Sequence, residues 1–158
     1  MVNSFSEYLR NNLSSLEESG LISFETELSH IKTYLEIEKV RFEDTLEIEY
    51  DIKCDRFSLP VLTVQPIVEN AIKHGLMRLE SGGTVLVRSY ETPTHFCVEV
   101  KDDGVGFDTS LLLDERKHVG LRNIRERLKV MVNGRLEIES TVGVGTRVLV
   151  SIPREDKE

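Results

Sequence analysis

The chain has 158 residues, with 20 Lys and Arg against 28 Asp and Glu, a net charge of −8, 39% apolar residues and 30% charged ones. That length and balance suit a globular domain with a small appendage, and exclude a disordered chain. The acidic surplus argues against non-specific nucleic-acid binding, which needs a basic face over the phosphates, but leaves room for a local basic pocket that takes a small anion.

The longest apolar runs are too short to cross a bilayer, and the N-terminus lacks the basic-then-apolar pattern of a signal peptide. No direct membrane contact is expected of this segment. Cys54 and Cys97 lie far apart without a CxxC spacing, so they read as reduced thiols.

Val2, Phe5, Leu9, Leu13 and Leu16 recur every three or four residues and predict a first helix. A break follows at Glu18-Ser19-Gly20. A second helix is predicted from about Phe24 to Phe42, with Ser23 as N-cap, Glu25 and Glu27 in the first turn, and Phe24, Leu28, Ile31, Leu35 and Phe42 on one side. LEIEYDI (46–52) alternates like a half-buried strand. SLPVLTVQPIVENAIKHG (58–75) reads as a helix that Pro66 bends near residue 62 and that ends before Gly75. Strands are predicted over 84–91 and 95–102, a polar stretch over about 108–118, a helix from about Gly120 to Val132, and strands over 135–141 and 143–153. Interleaved helices and strands, with several strands joined by short turns, predict an α/β two-layer sandwich of a mixed sheet with helices on one face, preceded by two helices.

Four short stretches carry chemistry. In ENAIKHG (69–75), Asn70, Lys73 and His74 fall at i, i+3 and i+4, with Glu69 beside them. An amide oxygen, an ammonium and an imidazole on one face suit a magnesium-phosphate group, although an ordinary solvated polar face reads the same way. In KDDGVGFD (101–108), Gly104 and Gly106 let a ligand approach the backbone, and Asp102 at a strand end can accept from an exocyclic amine. Taken alone, that Asp-Gly pair is also a good hairpin turn. In HVGLRNIRERL (118–128), Gly120 precedes a helix whose first amides could face an anion, with Arg122, Arg125 and Arg127 adding charge. GVGT (143–146) could be simply a tight turn into the last strand.

The order and spacing of the four are more specific than any one of them. VENAIKHG, DDGVGFD, GLRN and GVGT resemble the N, G1, G2 and final G boxes of the Bergerat-type ATP-binding domain shared by histidine kinases, type II topoisomerases, MutL and heat-shock chaperones. The resemblance covers 58–153, and the P-loop pattern GxxxxGK[ST] is absent from the chain. LSHIKTYLEIEKVRF (28–42) joined to LPVLTVQPIVENAIKHG (59–75) resembles the LytS/YehU-like sensor histidine kinases in particular.

That resemblance implies a division into C-terminal helices of a dimerisation and phosphotransfer region (1–43) and an ATP-binding catalytic domain (44–154). It implies ATP and Mg²⁺, with Asn70 as the metal ligand, Lys73 and His74 near the phosphates, Asp102 accepting from the adenine amine with help from Thr146, and Gly104 and Gly106 forming the adenine floor. Residues 108–119 would be the lid, Gly120, Leu121, Arg122 and Asn123 its closing end, and Gly145 with Thr146 the last box. Glu69 and Asn70 would be the catalytic pair, and Arg125 would join the phosphate cluster. Pro66 stands where many superfamily members carry a polar or acidic residue, four before the Asn, which favours phosphoryl transfer to a protein side chain over rapid hydrolysis. The PHFLFN-like motif with the phosphoacceptor histidine is absent, and His30 reads as an exposed helix residue. The implied partners are a response regulator and a second copy of the full-length protein. The implied location is a cytoplasmic domain of a parent in the cell membrane. Another ATPase or serine kinase of the same superfamily, and a non-catalytic interaction module with the same fold, are the alternatives.

Overall fold

The computed structural model describes residues 20–43, 45–76, 82–109 and 119–154. The predicted first helix (2–16), most of the expected lid and His118 lie outside them.

Strand β1 (Leu21–Ser23) leads directly into helix α1 (Phe24–Arg41). Ser23 caps α1 as expected, its Oγ accepting the Thr26 N–H at 3.2 Å. Strand β2 (Leu46–Ile52) and the short β3 (Ser58–Pro60) follow, then helix α2 (Val64–Asn70), which widens into a π turn (Ala71–Leu76). The remainder is β4 (Gly83–Glu91), β5 (His95–Asp102), α3 (Val119–Val132), β6 (Arg135–Thr141) and β7 (Gly145–Pro153).

The main sheet has the order β2-β4-β5-β7-β6, with β2 parallel to β4 and every other pair antiparallel. It is the mixed sheet of a two-layer α/β sandwich. On its inner face Val85, Val87, Val98, Val100, Val148 and Val150 are buried beneath the helices, as β-branched residues on a pleated surface should be. Phe24 of α1 stacks on Phe57 (centroids 5.1 Å apart), which stacks on Phe96 of β5 (4.9 Å), fastening the start of α1 to the sheet end. Among the described residues, no helix is long and apolar enough to cross a membrane.

Three expectations are corrected. Residues 58–60 are not helical: they pair antiparallel with 21–23, a strand that the pattern of 18–23 did not show. A three-residue strand has too few positions to display a period, and only its partner, more than thirty residues away, makes it one. Pro66 does not bend a helix, because α2 begins at Val64 and Pro66 sits in its first turn, where a missing N–H costs nothing. His30 is half-buried rather than exposed, and its Nδ1 is shut off from solvent.

On the face of the sheet away from the helices, a row of alternating charges crosses all five strands. Arg88 Nε lies 3.4 Å from Asp51, Arg88 Nη1 3.9 Å from Glu99, Arg147 Nε 3.1 Å from Glu99, and Arg147 Nη1 3.6 Å from Glu139. Glu99 at the centre is 5% exposed.

Candidate functional site

The strand ends at Asp102 and Thr146 form the floor of the site. These two residues are cross-strand partners on the helix-covered face, with Ser140 opposite Thr146 on β6. Asp102 is buried, and its Oδ1 accepts the Gly104 N–H at 2.8 Å. Burial pushes its carboxyl up to about 6, against the pull of the Gly104 and Thr146 amides, while the Asp103 charge adds to the rise. At neutral pH it is therefore mostly ionised and able to accept a donor.

The glycines let the segments around Asp102 pack closely. A Cβ on Gly75 would stand 2.7 Å from Asp102 Oδ1, and one on Gly104 would collide with the Gly75 backbone. The Val105 N–H donates to the Gly75 carbonyl at 3.2 Å, closing the loop after β5 over the π turn. Gly106 takes a positive φ of 67° and passes against the Thr141 carbonyl, where no side chain fits. At Gly145 (φ 138°) a Cβ would meet the Asp102 carbonyl.

Ser140 knits this floor together. Its hydroxyl donates to the Gly145 carbonyl (3.1 Å), lies 2.7 Å from the Thr146 hydroxyl and accepts the Phe107 N–H at 2.8 Å. Sequence reasoning missed Ser140 and did not see Gly75 as part of the site. Ser140 was recoverable from the β6–β7 hairpin register, which sets it against Thr146. Gly75 had read as a helix stop.

The polar side chains beside the floor depart from simple helical spacing. Asn70 ends the α-helical stretch and is half-buried, whereas Lys73 and His74 belong to the π turn. Bonds there run i to i+5, which widens the winding and offsets them from the i, i+3, i+4 face. Such single π turns inside α-helices occur frequently at functional sites. Lys73 is half-buried and His74 exposed. Glu69 is buried on the side of α1, where its charge is felt by the Tyr34 hydroxyl and the Glu38 carboxyl. Burial pushes both of those groups up, and Lys73 and Arg41 pull Glu38 back.

Gly120, Leu121, Arg122 and Asn123 form the first turn of α3, which rests on β3, β6 and β7. Leu121 is 6% exposed and belongs to the core with Ile124 and Leu128, while the other three face outward. Arg125 is a correction: its Nη2 donates to the Leu136 carbonyl of β6 at 3.2 Å, away from the expected phosphate cluster. Its place on the helix aims it at a strand edge, which spacing along the helix could not reveal. No group of three or more His, Cys, Asp and Glu able to hold a metal exists among the described residues.

Comparison with known proteins agrees with this geometry. Residues 58–156 match the family model described as histidine kinase-, DNA gyrase B- and HSP90-like ATPase, and residues 1–46 match a histidine kinase model. The protein YwpD of Bacillus subtilis (strain 168) is 39% identical over 155 residues, covering 94% of this chain and 56% of that protein. The sensor protein LytS of Streptococcus agalactiae is 29% identical over 148 residues, covering 87% of this chain and 26% of LytS. The chain thus spans about half of one relative and a quarter of the other. The histidine kinase domain of the Erythrobacter litoralis EL346 blue-light activated histidine kinase superposes with a TM-score of 0.62 at 21% identity, over 79% of this chain and 59% of that one. With these matches, the chain belongs to the histidine kinase-, DNA gyrase B- and HSP90-like ATPase family, and along its length it is similar to LytS and other sensor histidine kinases.

Proposed function

We propose that this chain binds Mg-ATP at the Asp102 floor and transfers the γ-phosphoryl group to a histidine outside these 158 residues, for relay to an aspartate of a response regulator. The observation that carries it is the buried Asp102 carboxyl at a strand end, with Gly75 and Gly104 packed so closely around it that neither position admits a side chain. A carboxylate at that place would accept from an amine donor on a flat ring.

Asp102 would orient the base through its carboxylate, with Thr146 held beside it by Ser140. The chain presents no carboxylate cluster for a resident metal among the described residues. Mg²⁺ would arrive with the phosphates, keep most of its waters and take the Asn70 side-chain oxygen as its protein ligand. Bound there, it would neutralise the charge that develops on the transferred group. Lys73, His74, Arg122 and the first amides of α3 would add to that neutralisation. Glu69, adjacent to Asn70 but packed on α1, would act by holding α2 in place. The division into lead-in helices (1–43) and catalytic domain (44–154), pairing with a second copy, and a parent protein in the membrane are further parts of this reading, supported by the kinship with LytS.

Calorimetric titration with Mg-ATP tests it. Asn70→Ala should remove the dependence of affinity on Mg²⁺, and Asp102→Asn should remove binding. Unchanged affinity in both variants would refute the pocket. Radiolabel from ATP should appear on a separately supplied acceptor-histidine domain of a LytS-like kinase and on no histidine of this chain.

A further inference from the structure

Helix α2 carries Asn70, and its N-terminus is held in an unusual way. The residue before it, Thr63, makes no side-chain cap, and its hydroxyl donates to the Pro60 carbonyl instead. The free amides at the helix start are taken up by Glu27, on the first turn of α1. Val64 N–H donates to both Glu27 oxygens (3.2 and 3.3 Å), and the Gln65 N–H lies 3.5 Å from Oε1. Glu27 is fully buried, and burial drives its carboxyl up to about 7 against the pull of those amides and of Arg127.

The turn just before α2 is held from a third element. Leu62 sits in the left-handed region (φ 57°), a conformation that costs a branched side chain free energy. Arg127, on α3, donates to the Val61 carbonyl at 2.8 Å and to the Leu62 carbonyl at 2.7 Å. Farther along, α1 stays beside α2 as far as Glu69, whose charge is felt by Tyr34 and Glu38. A serine at position 63 could cap one of the same amides locally, without burying a carboxylate. The arrangement found instead ties three elements at one joint.

We propose that Glu27 is a positioning residue of the nucleotide site: with Arg127 it couples α1 to the helix that carries Asn70, so nucleotide binding and the placement of α1 bias each other. This rests on the nucleotide reading above. Coupling of this kind is reciprocal, so a nucleotide that steadies α2 must also steady α1.

Hydrogen exchange on the whole chain, with and without Mg-ATP, tests it. In the unaltered chain Mg-ATP should slow exchange at 102–106 and also over 24–31. In Glu27→Gln the slowing at 102–106 should persist while that at 24–31 disappears, and affinity should fall by about 5- to 20-fold. Arg127→Lys, which keeps the charge but loses the two-pronged grip, should show a smaller loss of the same kind. A purely structural role would raise exchange equally with and without nucleotide, leaving the nucleotide-dependent difference at 24–31 intact, and that result would overturn the proposal. So would an unaltered chain in which Mg-ATP slows 102–106 but leaves 24–31 unchanged, an arm that does not depend on any variant folding. Absence of slowing at 102–106 would overturn the nucleotide reading itself, and this proposal with it.

Discussion

The two faces of the five-stranded sheet use buried carboxylates in opposite ways. On the outer face Glu99 lies between Arg88 and Arg147, and the row ends in Asp51 and Glu139, so each charge has an opposite neighbour. On the inner face Asp102 is buried just as deeply, but its hydrogen bonds come from backbone amides, and its nearest charge is another aspartate. A carboxylate balanced by its own sheet is scaffold. One held by backbone amides, with no cation among the described residues beside it to balance it, is a candidate for accepting a donor that arrives from outside.

Exchanging one acid for its amide on each face should separate the two roles most widely. Asp102→Asn should lower nucleotide affinity at least about 100-fold, because a charged acceptor becomes a group that can also present a donor. Glu99→Gln should leave affinity within about twofold, yet cost roughly 1–3 kcal/mol of stability in denaturant unfolding, since two arginines lose their shared partner. Equal effects of both changes on affinity would erase the distinction. Next in size, Gly104→Ala should cost about 10-fold or more in affinity, as the new methyl forces the loop off Gly75. Calorimetry with the same nucleotide measures it.

The pH dependence sharpens the comparison further. Asp102 rises from an ordinary 3.8 to about 6, and Glu27 from 4.5 to about 7. The folded chain therefore holds these protons more tightly than the unfolded chain. Stability from this source is full below about pH 4 and is lost as pH rises through 6 and 7. Asp102→Asn should remove the part of that decline lying between about 4 and 6. In the free chain the Asp102 carboxyl carbon should titrate near 6 by NMR, and nucleotide should draw it lower, because the bound form needs the carboxylate. The smallest effect belongs to the outer row. Its arginine side chains are 31–39% exposed, so raising salt to 1 M should cost under about 1 kcal/mol in unfolding experiments.

Elements with a long period and their own stop signals were legible in the chain. The Ser23 cap, the alternation of β2, β4 and β5, and the Asn133-Gly134 stop after α3 each depend on neighbours within a few residues. The candidate site was legible as four boxes because close backbone packing demands glycine at set places around Asp102. What escaped was whatever depends on a distant partner. Ser58–Pro60 looked helical by composition until β1 paired with it. Arg125 looked like a phosphate contact until Leu136 took it.

The sequence by itself pointed to the family and to the long helices and the strands of the main sheet, since those follow from local periods and from motifs of a few residues. Only the tertiary structure decided that α2 slackens into a π turn after Asn70, that Glu69 turns to α1, and that Glu27 and Arg127 meet at the head of α2. Burial sets the reason: a buried donor or acceptor must be satisfied by whichever group packing brings near, and that group can come from anywhere in the chain.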